Sequence, residues 1–131
     1  MMKKVSNKLL VTTGGLLLVI LGAFHATFWK LYDWDNELIN LSQDNESLVQ
    51  MMNICTICYL LLVGFILLIC RSDIMDSRVG RLLMLSLSVF FAVRFILEFF
   101  FPGGSIWLGV VLLLLVFLFL IPTLRKDAIA K

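Results

Sequence analysis

Two ionisable residues stand inside a stretch that is otherwise apolar enough to cross a bilayer. Arg94 and Glu98 interrupt the run RLLMLSLSVFFAVRFILEFFF at residues 81–101, and their i, i+4 spacing puts them one turn apart on one helix face. A charge at the centre of a spanning helix costs about 2.5–3.5 kcal/mol on insertion scales, so such residues face a partner, a cavity or water. Three chemistries are open to them. The pair can be an internal ion pair that makes a guanidinium tolerable in an apolar setting. Arg94 can instead hold an anionic or carbonyl-bearing ligand, with Glu98 orienting it. Alternatively, His25, the only histidine, and Glu98 can serve as acid and base while Arg94 stabilises negative charge. A separate possibility is thiol chemistry at Cys55-Thr-Ile-Cys58, which would need an exposed thiol of lowered pKa and a nearby cation.

The elements that must position these residues are apolar helices. Hydrophobic residues make up 61% of the 131-residue chain and charged residues only 15%, against roughly 45–50% and about 25% in soluble domains. The composition therefore places the chain among all-α integral membrane proteins, as one transmembrane domain. Four spans are predicted at residues 9–29, 51–70, 82–101 and 106–121, each near the roughly 20 residues that a bilayer core requires. The basic start and first apolar run also fit a signal peptide. Against that, Phe24 would stand where a small residue is wanted before a cut after Ala26, and the run is long for such a signal. It is read as the first span. The second helix is expected to begin well before its membrane portion, because Ser42 ahead of Gln43–Glu46 has the character of an N-cap followed by acids that suit the helix dipole.

Charge fixes the expected orientation. Lys3, Lys4 and Lys8 precede the first span, Arg71, Arg78 and Arg81 lie between the second and third, and Arg125, Lys126 and Lys131 follow the fourth. The other side has only Lys30, within the acidic loop at residues 30–50 that holds Asp33, Asp35, Glu37, Asp44 and Glu46. The positive-inside rule then predicts both termini in the cytoplasm, in a plasma membrane of the bacterial inner-membrane type. Short loops predict a four-helix antiparallel bundle. On that topology His25, Asn53, Thr56, Arg94 and Glu98 all fall in the outer half, Arg94 and Glu98 about 10 and 5 Å below Phe101 at about 1.5 Å per residue. Gly22-x-x-x-Ala26 on the first helix and Asn53, Thr56, Leu60 and Gly64 on the second form stripes expected to face other helices. The expected ligand-binding set is Arg94, Glu98, His25, Asn53, Thr56 and Trp29, with Trp29, Tyr32 and Trp34 as an interfacial aromatic rim.

Cys55 and Cys58 near the outer end of the second of four spans, with cytoplasmic termini, resemble the quinone-linked disulfide-generating oxidoreductases of bacterial membranes. That resemblance implies a redox role for the two thiols, with a quinone as electron acceptor. It covers one motif and a topology. The second cysteine pair of that family is absent, and the arginine that follows its motif has no counterpart after Cys58. Cys55 and Cys58 also lie about 200° and 140° around the helix from Asn53 at about 100° per residue, which turns them away from its face. Small multidrug exporters are of similar size but carry their key glutamate in the first span, unlike Glu98. No Gly-rich phosphate loop, nucleophile elbow or H-E-x-x-H pattern occurs in the sequence. One histidine and scattered acids are thin material for a metal site, and a net charge of +2 suggests no nucleic acid. No cofactor is named by these residues. The favoured reading is a non-enzymatic membrane protein that binds a partner subunit or a lipid-like or small ligand, with a small membrane enzyme as the alternative.

Overall fold

The structure is a computed structural model that describes residues 2–101 and 104–124, with side chains from residue 7 onward. Pro102 and Gly103 of the expected turn, the side chains of Lys3 and Lys4, and Arg125, Lys126 and Lys131 of the tail lie outside the described residues. Among the described residues all regular structure is helical and no strand occurs. The helices are α1 (Met2–His25), α2 (Phe28–Leu31), α3 (Trp34–Glu37), α4 (Gln43–Ile69), α5 (Arg71–Asp76), α6 (Arg78–Phe100) and α7 (Ile106–Leu124), with a 3-10 turn at Leu38–Asn40. Four segments are long and apolar enough to cross a membrane: Asn7–His25, Gln43–Ile69, Arg78–Phe100 and Ile106–Leu124.

Local chemistry explains where these helices start and stop. The first was expected to run to Trp29 but ends at His25. There the Thr27 hydroxyl donates to the Phe24 carbonyl at 2.7 Å, offering the backbone an alternative to another helical bond. The expected early start of the second helix is present: α4 begins at Gln43, Glu46 N–H donates to the Ser42 carbonyl at 2.9 Å, and Asn45 N–H donates to Ser42 Oγ at 3.4 Å. Ser77, in extended backbone, caps α6 by accepting from Gly80 N–H at 2.9 Å. The last helix continues through Pro122 to Leu124 rather than stopping before the proline. Pro122 cannot donate to the Leu118 carbonyl one turn back, and in this last turn the Thr123 hydroxyl donates to the Phe119 carbonyl at 2.9 Å.

The chain divides into two compact units. The first comprises Met1–Gly14 and Leu67–Lys131. Its apolar interior is built from Val11, Leu67, Met84, Leu87, Phe91, Leu112, Leu115 and Phe119, all almost fully buried. The contacts between α6 and α7 run in opposite directions along the two helices: Glu98 meets Ser105, Phe95 and Phe99 meet Gly109, and Ser88 donates to the Val116 carbonyl at 3.1 Å. Phe91 and Phe119 pack with ring centroids 5.9 Å apart, and the Phe119 ring fills the space a side chain at Gly14 would take. Lys8 Nζ donates to Ser72 Oγ at 2.9 Å, tying the start of α1 to α5.

The second unit is Gly15–Ile66. Its parts of α1 and α4 meet with Gly22 against Leu60 and Leu61, and with Gly15 and Val19 against Gly64. That register again means opposite directions. Between the two helices the chain passes through α2, α3 and the 3-10 turn, where Leu38 is buried. Asp33 links α2 to α3 in the left-handed region, at φ 46°, a conformation that a short polar side chain adopts more readily than most.

Candidate functional site

The polar residues singled out by the sequence resolve into two arrangements, one in each unit. In the first unit, Glu98 is 7% exposed and sits in the last turn of α6. Each of its carboxylate oxygens has a separate donor. Oε2 lies 2.6 Å from Arg94 Nη1, and Oε1 accepts from the Ser105 N–H at 2.8 Å. Ser105 is the residue just before α7, and its own Oγ accepts from Leu108 N–H at 3.4 Å. The pattern matches a capping box, except that the carboxylate reaches in from the preceding helix. Negative charge at this point also suits the positive end of the α7 dipole. The approach is close: a side chain on Gly104 would fall on the Glu98 carbonyl oxygen, so only glycine fits.

Arg94 has a different environment from its partner. Its side chain is 42% exposed, and among the described residues its guanidinium has one partner, the Glu98 carboxylate. A guanidinium carries five N–H donors in a fixed fork, so several remain beyond the one spent on Glu98. The pair is thus lopsided: a carboxylate with both oxygens committed, and a cation with donors to spare.

In the second unit His25 and Asn53 meet. The Asn53 amide donates from Nδ2 to the His25 carbonyl at 3.2 Å, and Asn53 Oδ1 lies 3.1 Å from His25 Nδ1. A carbonyl can only accept, so the amide nitrogen must face it. That leaves Oδ1 for the ring and puts a proton on Nδ1. Because His25 is the last residue of α1, its carbonyl is one of those the helix leaves without an internal partner. Asn53, buried on α4, satisfies it from outside. The imidazole also lies against Phe28, ring centroids 4.4 Å apart, and Phe28 continues edge-on to Tyr32 and Trp34. Trp29 packs on Trp34 at 5.0 Å. The expected aromatic rim is therefore a set of rings packed on one another.

Two further candidates are placed clearly. Thr56 donates its hydroxyl to Met52 of its own helix at 2.8 Å, so that group is used locally. Asn53, Leu60 and Gly64 are buried, while Cys55 and Cys58 are exposed free thiols. The cysteines thus occupy the flank of α4 turned away from Asn53, as the helical angle requires. Ala26 of the small-residue pair is exposed, unlike Gly22. No group of three or more His, Cys, Asp or Glu suited to a metal occurs among the described residues.

Ser105 is the member of the Glu98 arrangement that the sequence does not single out. The signal was present, since a serine directly before an apolar run is an N-cap pattern, but Pro102-Gly103-Gly104-Ser105 reads first as a turn. Comparison with protein-family models, with curated proteins and with solved structures finds no match to this chain.

Proposed function

We propose that this chain is a non-enzymatic four-span protein of a bacterial-type inner membrane, an antiparallel bundle with both termini in the cytoplasm. Its role on this reading is to bind a lipid-like or small ligand, or a partner membrane subunit, at Arg94 in the outer half of the third span. One observation carries the proposal: Arg94 is 42% exposed and spends one contact on Glu98. An arginine kept only for an internal ion pair gains most when both members are enclosed and fully hydrogen-bonded. Here the glutamate is enclosed and the arginine is not. The commitment of both Glu98 oxygens to Arg94 and Ser105 speaks for a positioning carboxylate rather than a proton-transfer group, and this favours binding over acid–base chemistry.

Photo-crosslinking in intact membranes tests the reading. A photoreactive amino acid at Val93, an exposed neighbour of Arg94, is expected to trap a discrete lipid-like species or one membrane protein. The same probe at Val110 on α7, also exposed, is the control. Adducts of the same identity and yield at both positions would remove the case for a site at Arg94.

A further inference from the structure

The ligand class can be narrowed, on the reading that Arg94 is a binding residue. Phe90, Arg94, Leu97 and Phe101 fall at i, i+4, i+7 and i+11, one stripe of α6 and its C-cap. Phe90, Leu97 and Phe101 are all exposed, as is Val93 beside them. The stripe is thus an apolar surface with a single cation set into it. Side chains on a helix normally lean toward its N-terminus, but the contact with Glu98 one turn further on draws the guanidinium toward the C-terminal end of α6. On the proposed topology that is the outer boundary, with the Arg94 backbone about 10 Å from the helix end at about 1.5 Å per residue. An extended arginine held in that direction reaches the level of lipid ester and phosphate groups.

We propose that Arg94 binds the phosphodiester of an outer-leaflet lipid, whose acyl chains lie along Phe90, Val93 and Leu97. The planar fork of the guanidinium matches two phosphate oxygens, and Glu98 keeps it from folding back along the helix. A neutral ion pair with spare donors suits this ligand. Glu98 offsets the net charge of the arginine in the apolar layer, while the remaining N–H groups still require acceptors, which an apolar environment does not supply.

The test uses native mass spectrometry of the full chain in detergent, with equimolar phosphatidylglycerol and diacylglycerol of identical acyl chains. Wild type is expected to retain phosphatidylglycerol about tenfold over diacylglycerol, the scale of a hydrogen bond to a charged group. Arg94→Gln is expected to abolish the preference. Because it strands Glu98, the double variant R94Q/E98Q is measured beside it, with helicity by circular dichroism as the folding check. Arg94→Lys, which keeps the charge but not the fork, is expected to fall between. A folded double variant that keeps the wild-type preference overturns the assignment, as does a wild type with no preference. Millimolar inorganic phosphate separates the two sources of this chemistry: retention of lipid in its presence upholds the headgroup, and displacement reassigns the site to a free phosphate. If the preference is missing while a specific adduct still forms at Val93, ligand binding at Arg94 stands and the phosphate assignment alone falls.

Discussion

At Glu98 a single carboxylate joins two tasks: it neutralises Arg94 and caps the start of α7 through Ser105. Arg94→Ala is therefore expected to destabilise the protein by leaving a carboxylate that is 7% exposed without its cation. Breaking a buried pair costs about 3–5 kcal/mol, and the half-exposed arginine reduces this to about 1–3 kcal/mol. Thermal unfolding in detergent measures it, and adding Glu98→Gln should recover part of the loss. If both variants unfold at the wild-type temperature, the ion pair contributes nothing to the fold. The Asn53 pairing predicts a smaller, separate effect. Asn53→Leu removes two hydrogen bonds to His25 and is expected to cost about 1 kcal/mol, since such interhelical bonds average about 0.6 kcal/mol each. Thr56→Val, which removes a hydroxyl bonded within its own helix, should be nearly neutral, and a loss as large as that of Asn53→Leu would mean that the hydroxyl has a further role.

Among elements, the glycines separate close helix packing from open space. A methyl group at Gly64 would meet the Gly15 carbonyl oxygen at 2.9 Å and the Val19 nitrogen at 3.1 Å, backbone atoms that cannot swing aside. Gly64→Ala is expected to cost about 1–3 kcal/mol through overpacking. At Gly109 the nearest atom is the far end of the Phe99 ring, 3.1 Å away, which can rotate. The helix propensity gained from glycine to alanine, about 1 kcal/mol, then makes Gly109→Ala neutral or stabilising. Unfolding midpoints of the two variants in detergent check the ordering, and equal midpoints would contradict the close α1–α4 approach. These contacts were partly legible beforehand: Gly64 was placed on the buried stripe of α4 by its spacing from Asn53. Gly109 and Gly80 were not, because nothing in their local sequence shows which backbone or ring comes near.

For the whole molecule, the distribution of lysine and arginine leads to an orientation that can be read directly. In a chain with Cys55, Cys58 and Cys70 changed to serine, Asp35→Cys should react with an impermeant maleimide in intact cells. Asp73→Cys should react only after permeabilisation. The reverse pattern would overturn the proposed topology. The serine background is itself informative, because Cys55 and Cys58 are exposed on the flank of α4 away from Asn53. A purely packing role for them predicts that its stability stays within about 0.5 kcal/mol of wild type, the usual range for substitutions away from buried features.

The four helices long and apolar enough to cross a membrane were readable from the sequence alone, since span length and apolarity follow from bilayer thickness and need no tertiary contact. The same holds for the i, i+4 relation of Arg94 to Glu98, for the cap at Ser42, and for the opposed faces of Asn53 and the cysteines, all of which are properties of one helix. The partners were decided by the fold. That Glu98 answers Ser105 and that Asn53 closes the end of α1 depend on how the chain turns between helices and which groups then come within hydrogen-bond reach. Helical periodicity assigns a residue to a face. It does not carry the position of the donor or acceptor that another segment brings to that face.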